Sequence, residues 1–142
     1  MQTSHAGTTR QQHSQDVVSQ YFEALRQRDF SSIPFADDAT LRAPFAPGGV
    51  HHPLVGKTAV HEHWWLPLQP ALENVEIVVL ETFFNAALTA VCAEALITLN
   101  VMSPPVTLRV ADRFTVNDAG RIIEQENHCD PRDVTKPGWQ TG

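Results

Sequence analysis

The sequence is poor in basic residues, cysteines and long apolar runs, and each shortage argues against a class of protein. Sixteen acidic side chains against ten lysines and arginines give a formal net charge of -6, which argues against a nucleic-acid binder with a basic surface stripe. Two cysteines in 142 residues are too few for a disulfide scaffold and predict free thiols in a reducing cytoplasm. No apolar run approaches the roughly 18 residues of a membrane span, and the first residues lack a signal-peptide core. We therefore expect one cytoplasmic domain without a membrane or nucleic-acid partner.

The order of the predicted elements, helices first and strands afterwards, is typical of an α+β domain. Residues 1–13 lack an apolar period and predict a flexible tail, and Ser14 is expected to cap a first helix that ends near Asp29. The apolar stripe of this helix consists of Val17, Val18, Tyr21, Phe22 and Leu25. A second helix is expected over about 58–66, before Pro67. Strands are predicted over 75–84, 89–101, 106–116 and 121–130, and an irregular tail over 131–142.

The predicted helices can cover only one face of such a sheet. The opposite face keeps part of its apolar surface, and exposed apolar faces of this kind are commonly buried against a second copy of the chain. The sequence therefore predicts a homodimer.

The strand predicted over 106–116 carries an acid on an apolar face. Side chains alternate between the two faces of a strand, so Asp112 shares its face with apolar residues alone, while the other face is basic and hydroxylic. A buried carboxylate without a partner is unfavourable, and burial raises its pKa. Asp112 is therefore expected either to hold the fold through hydrogen bonds or an arginine, or to stay protonated as the acid of a functional cavity.

The seven histidines do not predict a metal site, because a metal ion needs three or four convergent ligands and no such spacing occurs. His61 and His63 lie two apart on the second helix and point in different directions. His63 and Trp64 are expected either to line a pocket or to form a packed face.

His128 lies two residues before Asp130 on the last strand. A histidine beside a carboxylate is a natural acid–base pair, although the same pattern also suits an edge strand that faces water.

Several stretches of the chain resemble a known superfamily in their order and spacing. Tyr21 lies on the first helix, ADDATLRAPF spans 36–45, LVGKTAVHEHWW spans 54–65 and RVADRFTVNDAGRI spans 109–122. Over residues 14–130 the chain resembles the nuclear transport factor 2-like superfamily, in its SnoaL-like and ketosteroid-isomerase-like branch. The resemblance implies a cone-shaped α+β fold, in which a curved, mostly antiparallel sheet wraps around the N-terminal helices and encloses an apolar pocket. Dimers through the sheet are common in this superfamily.

The resemblance also implies roles for particular residues. Ketosteroid isomerases use a tyrosine and a protonated aspartate as an oxyanion hole, and a second aspartate as the base. Tyr21 and Asp112 match the first two positions, but the position of the base holds Ala43, which cannot take a proton. The last acid of the limonene-epoxide-hydrolase-like Asp-Arg-Asp arrangement, and the strand-end base of SnoaL-like cyclases, both match Asp130. The other two epoxide-hydrolase positions hold Ala93 and Ala95.

Two main functions are compatible with these residues. The first is a cofactor-independent acid–base enzyme of isomerase or cyclase type, acting on a hydrophobic carbonyl-bearing polyketide, terpenoid or steroid-like molecule. Tyr21 and Asp112 would donate hydrogen bonds to the developing oxyanion, and Asp130 with His128 would move the proton. The expected substrate contacts are Phe45, His63, Trp64, Val110, Phe114 and Asn127. The second function is a non-catalytic module that binds a small ligand or a protein partner, and an epoxide hydrolase is a third.

Overall fold

The computed structural model describes residues 2–133, which form two helical segments and one sheet. Helix α1 (Gln2–Gln27) comes first, and a 3-10 turn (Phe30–Ser32) follows it. The second helical segment, over residues 57–72, consists of α2 (Lys57–Val60), a π-helical turn (His61–Trp65), α3 (Leu66–Leu68) and a 3-10 turn (Gln69–Leu72). No helix within the described residues is long and apolar enough to cross a membrane.

The sheet within residues 2–133 has six strands in the order β2-β1-β6-β5-β4-β3. They are β1 (Phe35–Arg42), β2 (Leu54–Val55), β3 (Glu76–Phe84), β4 (Ala90–Leu99), β5 (Val106–Val116) and β6 (Ile122–His128). Neighbouring strands run antiparallel except β1 and β6, which are parallel. The sheet is curved and does not close on itself, so the α+β cone fold expected from the sequence is confirmed.

The core lies between α1 and the inner face of the sheet. The predicted stripe of α1 is buried throughout, and it consists of Val17, Val18, Tyr21, Phe22 and Leu25. Strand β4 contributes every second residue, namely Val91, Ala93, Ala95, Ile97 and Leu99. Strand β5 buries Leu108, Val110, Asp112, Phe114 and Val116. The alternation read from the sequence of β5 is therefore present in the structure, and it places one acid inside an apolar core.

Helix α1 begins earlier than the sequence indicates. A flexible tail is predicted over residues 1–13, whereas the helix starts at Gln2. Ser14, the predicted cap, lies within the helix; its side chain is buried, and its hydroxyl has no hydrogen-bond partner among the described residues. Arg10 forms an ion pair of 2.6 Å with Asp118, in the turn between β5 and β6. This exposed ion pair links the turn to a polar helical segment, which lacks the apolar stripe on which the prediction depends.

The second helical segment continues past the predicted end near residue 66. Pro67 lies in the first turn of α3, and Pro70 lies in the first turn of the 3-10 helix that follows. Because the helical segment continues through both positions, each proline removes one main-chain hydrogen bond from its interior. The two prolines therefore mark changes of helix type instead of the end of the segment.

The chain leaves the sheet before the predicted end of the last strand. Strand β6 ends at His128, two residues before Asp130. A 3-10 turn (Pro131–Asp133) follows, at the start of the predicted irregular tail. Residues 134–142, which include Trp139, lie outside the described residues.

Candidate functional site

A cavity opens between the inner face of the sheet and the two helical segments. Its inner part has a volume of about 70 Å³, and its outer part has a volume of about 220 Å³. The two parts share the wall residues Phe45, Trp64, Leu68, Leu99 and Leu108. They therefore form one funnel with largely apolar walls.

Polar side chains lie at the inner end of this funnel. Tyr21 from α1, Asp112 from β5 and Asn127 from β6 all line its inner part. Asp112 and Asn127 are direct partners in the antiparallel pairing of β5 with β6, so their side chains share one face with Cβ atoms about 4.5–5.5 Å apart. An apolar cavity with a few convergent polar groups is the usual form of a small-molecule site.

Asp112 is a buried acid without a partner. It is 2% exposed, and its carboxyl forms neither a hydrogen bond nor an ion pair within the described residues. Its partner on β4 is Ala93, which offers only a methyl group. Burial raises the pKa of Asp112 to about 8, so the carboxyl is mostly protonated at neutral pH. An arginine partner is one of the expectations from the sequence, but Arg113, next to Asp112 in the chain, forms an ion pair of 2.9 Å with Glu124.

The hydroxyl of Tyr21 lies at the same polar end of the cavity. Its ring packs edge-on against Phe114, with 4.9 Å between the ring centroids. Burial and the neighbouring Asp112 raise the pKa of Tyr21 well above its ordinary value, and hydrogen bonds with Gln125 and Asn127 act in the opposite direction. Tyr21 is therefore a neutral hydrogen-bond donor at physiological pH.

An irregularity in β6 decides which of its side chains face the cavity. The pairing of β5 with β6 shifts register by one residue at Ile123. Ile122 and Gln125 both face the core, although they lie three residues apart, and both are fully buried. Beyond this bulge, Asn127 and Cys129 line the cavity.

His128 and Asp130, which the sequence predicts as the proton-transfer pair, are not part of the polar end. His128 borders the cavity, but alternation along β6 puts its imidazole on the outer face, with Nε2 2.6 Å from a carboxylate oxygen of Glu126. Asp130 lies beyond the end of β6 and forms an ion pair of 2.6 Å with Arg132. Hydrogen bonds from Arg132 lower the pKa of the Asp130 carboxyl. Both side chains are thus engaged away from the cavity.

Four of the six predicted substrate contacts line the cavity, and two do not. The four are Phe45, Trp64, Val110 and Asn127. His63 is exposed, whereas Trp64 and Trp65, which follow it in the same π-helical turn, are buried. Phe114 is fully buried beneath the ring of Tyr21 and does not line the cavity. The roles of the four lining residues in substrate binding stay predictions.

Sequence reasoning missed two residues at the site, Gln125 and Cys129. Gln125 lies two residues before Asn127 on β6, and Cys129 lies two residues after it, just past the end of the strand; this spacing could have identified both. The Cys129 thiol is free and half-buried at the cavity wall. Burial, and to a smaller extent Asp112, raises its pKa to about 11, so the thiol is neutral at physiological pH.

Metal-binding side chains do not converge anywhere in the part of the chain that the structure describes, where no group of three or more His, Cys, Asp or Glu could hold an ion. His61 packs edge-on against Phe30, with 4.8 Å between the ring centroids. His51 and His52 lie in the segment between β1 and β2 and are exposed.

The fold and the cavity correspond to a known family. The family model of the SnoaL-like domain matches residues 18–125, which is well over half of the chain. The protein therefore belongs to the SnoaL-like domain family. Among curated proteins, none matches this sequence.

Three solved structures are similar to this chain. The epoxide hydrolase/cyclase-like enzyme SalBIII, which takes part in pyran ring formation in the polyether salinomycin, has a TM-score of 0.71 and 21% identity, over 86% of this chain and 94% of its own. A steroid delta-isomerase from Pseudomonas aeruginosa has a TM-score of 0.60 and 22% identity, over 84% and 80%. Rv0760c from Mycobacterium tuberculosis, in complex with estradiol-17beta-hemisuccinate, has a TM-score of 0.67 and 15% identity, over 84% and 95%. At these identities the similarity shows the nuclear transport factor 2-like fold alone.

Proposed function

We propose that this protein is a cofactor-independent acid–base enzyme of isomerase or cyclase type, acting on a small hydrophobic molecule that carries a carbonyl group. The observation that carries the proposal is the carboxyl of Asp112, which is buried and unpartnered among the described residues and lines a cavity together with Tyr21. An ionisable group with a strongly shifted pKa inside a cleft is typical of an active site.

Tyr21 holds the carbonyl oxygen in this proposal. Its hydroxyl stays protonated, and its ring is fixed between Phe114 and Trp64, with centroid distances of 4.9 and 6.4 Å. A preorganised donor of this kind stabilises a developing oxyanion by about 3–4 kcal/mol. The apolar funnel takes the hydrocarbon remainder of a polyketide, terpenoid or steroid-like molecule.

Asp112 moves the proton. The sequence suggests Asp112 as a second donor to the oxyanion, but that role leaves the cavity without a proton acceptor, because Asp130 and His128 are engaged elsewhere. Among the described residues, Asp112 is the only carboxyl that lines the inner cavity. Its pKa of about 8 lies close to the pH of the cell, where a group both accepts and returns protons efficiently.

The proposed reaction is a proton transfer through an enolate. The ionised carboxylate of Asp112 removes a proton from the carbon next to the carbonyl group, and the electron pair of that C–H bond moves onto the carbonyl oxygen. Tyr21 donates a hydrogen bond to this oxygen. Asp112, now neutral, returns the proton to another atom of the substrate, which gives an isomer, or completes ring closure when the enolate has attacked a second carbonyl.

A non-catalytic binding module is the second candidate, and a specific residue favours it. Ala43 lines the cavity at the position where the isomerases that the sequence resembles carry their base. Ala93 faces Asp112 from β4. In this alternative, Tyr21 and neutral Asp112 bind the oxygen of a ligand and no proton moves.

Exchange of hydrogen for deuterium separates the two candidates. The α-hydrogens of 2-ethylcyclohexanone are followed by proton NMR in D₂O, with the wild-type protein, Asp112→Asn and Tyr21→Phe. The enzyme proposal predicts exchange faster than in buffer, loss of this exchange in Asp112→Asn and slower exchange in Tyr21→Phe. Binding of the ketone with exchange at the buffer rate would establish the binding module and overturn the enzyme proposal.

The homodimer expected from the sequence stays part of the proposal. Strand β3 exposes Val78, Leu80 and Phe83, each between 42% and 56%. Apolar side chains at this density favour burial against a second copy of the chain. The cytoplasmic location predicted from the composition likewise stays a prediction.

A further inference from the structure

The polar end of the cavity offers more hydrogen-bond donors than one carbonyl oxygen requires. Gln125 is fully buried, and its Nε2 donates a hydrogen bond to Oδ1 of Asn127 at 2.7 Å. Because Oδ1 is occupied, the orientation of the Asn127 amide is fixed and its Nδ2 hydrogens remain for other partners. The Oε1 atom of Gln125 has no hydrogen-bond partner among the described residues. The amide of Gln125 is therefore oriented by its Nε2 donor alone.

Tyr21 lines the same part of the cavity as Asn127 and Asp112. Its hydroxyl is neutral at physiological pH, because burial raises its pKa well above the ordinary value, and it can donate its hydrogen. The site therefore presents one O–H donor from Tyr21 and the N–H donors of the Asn127 amide, and Asp112 lies opposite Asn127 across β5 and β6.

We propose that this site selects a 1,3-dicarbonyl substrate, with one oxygen bound by Tyr21, the other bound by Asn127, and Asp112 facing the carbon between the two carbonyl groups. Gln125 is a positioning residue, which acts by fixing the amide of Asn127. The inference rests on the proposed function and deepens it, because it names the substrate class of the same site.

The chemistry of the carbon acid supports this assignment. A hydrogen between two carbonyl groups is far more acidic than one beside a single carbonyl, because the charge of the enolate spreads over both oxygens. The C–H bond breaks, its proton moves to Asp112, and its electron pair is shared by the oxygens at Tyr21 and Asn127. Return of the proton from Asp112 to carbon or oxygen completes the step, and no further reactant is needed. A carboxylate is a weak base, so a substrate of this acidity matches the only carboxyl that the described residues place in the inner cavity.

Three probes of the same carbon framework test the inference. 2-Acetylcyclohexanone carries both carbonyl groups, whereas 2-ethylcyclohexanone and cyclohexyl methyl ketone each carry one. Binding to the full chain is measured by isothermal titration calorimetry under mildly acidic conditions, which keep the dicarbonyl uncharged. Since one additional hydrogen bond contributes about 1 kcal/mol, the wild type should bind the dicarbonyl roughly five- to tenfold more tightly than either monoketone.

Substitutions at Asn127 and Gln125 assign this preference to the amides. Asn127→Leu should reduce the ratio of the affinities to about one, with little change for the monoketones. Gln125→Met should lower the same ratio, whereas a merely structural role would weaken all three probes equally. Glu124→Gln, on the outer face of the same strand, is the matched control and should leave the ratio unchanged. Asn127→Ser serves as the second variant if thermal unfolding shows that Asn127→Leu is not folded.

The outcomes separate the inference from the proposed function. Equal affinity for the three probes, or a preference that survives both Asn127 variants, overturns the inference. If hydrogen–deuterium exchange of the bound ketone still depends on Tyr21 and Asp112, the proposed function stands. Failure of all three probes to bind overturns both.

Discussion

Asp112 and Asn127 oppose each other across β5 and β6, on the inner face of the sheet. On the other side of Asp112, β4 offers only the methyl group of Ala93. The polar end of the cavity is therefore asymmetric, with its amide donors on the β6 side and hydrocarbon on the β4 side. In the proposed function, the oxygen of a ligand therefore lies towards β6, and the apolar part of the same ligand packs towards β4.

Removal of the Asp112 charge should change how stability depends on pH. The pKa of this carboxyl is about 8 in the folded protein, against an ordinary value of 3.8. Between these values the unfolded chain binds fewer protons than the folded one, so the free energy of unfolding falls by about 1.4 kcal/mol per pH unit as the pH rises. The neutral carboxyl of Asp112 thus stabilises the folded protein relative to the ionised one. This stabilisation is complete below about pH 4 and is lost as the pH passes about 8.

The variant Asp112→Asn should lack this decline and should be more stable than the wild type at neutral pH by roughly 2–4 kcal/mol. Urea unfolding, followed by tryptophan fluorescence at a series of pH values, measures the difference. Parallel pH profiles of the two proteins would show that the carboxyl is not desolvated as the structure indicates.

The pH dependence of turnover should distinguish the two roles of Asp112. If the ionised carboxylate accepts the proton, deuterium exchange becomes faster as the pH rises and reaches a plateau above about 8. If the neutral carboxyl only donates a hydrogen bond, ligand affinity falls over the same pH range and no exchange occurs. Exchange rates and dissociation constants measured on one set of samples decide between them.

Loss of the Tyr21 hydroxyl should weaken ligand binding more than it weakens the fold. Tyr21→Phe keeps the ring that packs against Phe114 and Trp64 but removes the donor to the carbonyl oxygen. Affinity for a cyclic ketone should fall about tenfold, which corresponds to one hydrogen bond. His63→Ala, an exposed position on the second helical segment, is the control and should bind normally. Unchanged affinity in Tyr21→Phe would remove Tyr21 from the site.

Substitution of His128 or Asp130, which the sequence predicts as the proton-transfer pair, should leave turnover nearly unchanged. His128 is bound to Glu126 and Asp130 to Arg132, so His128→Ala and Asp130→Ala should each change the exchange rate by less than about twofold. Steady-state exchange at neutral pH provides the measurement. Loss of exchange in either variant would restore the assignment made from the sequence and displace Asp112 as the proton carrier.

The oligomeric state can be tested at the exposed face of β3. Phe83 is 48% exposed, and a dimer through this face should give a mass of twice 15.8 kDa in light scattering. Phe83→Lys should shift the wild-type dimer to a monomer. Val101→Lys replaces an equally exposed apolar residue that lies outside the strands, and it should remain dimeric. A monomeric wild type would refute the predicted homodimer.

The features that could be predicted from the sequence are those that follow a regular period. The stripe of α1, from Val17 to Leu25, is buried as its helical spacing indicates. The alternation of β5 placed Asp112 on the apolar face, where the structure has it. In both elements the backbone keeps its ideal repeat, so the position of a residue in the chain determines its face.

The errors concern details that a hydrophobic period does not determine. The sequence groups His63 with Trp64 on one stripe, but successive residues lie about 100° apart around a helix, and the structure buries Trp64 while His63 faces solvent. The predicted last strand includes Asp130, but β6 ends at His128 and a local turn brings Arg132 to the carboxylate. Neither the width of the buried side of a helix nor the last residue of a strand follows from the period alone.

Ile123, the residue of β6 that has no partner on β5, determines which side chains of this strand face the cavity. An uninterrupted strand that kept Ile122 inside would turn Glu124, Glu126 and His128 towards the ligand, in place of the present amides and thiol. In the structure, the extra residue Ile123 shifts the register by one position, and Gln125 and Asn127 face inward instead. A slip of the main chain by one residue can thus change the cavity wall from amide-rich to acidic without any change in the amino-acid sequence.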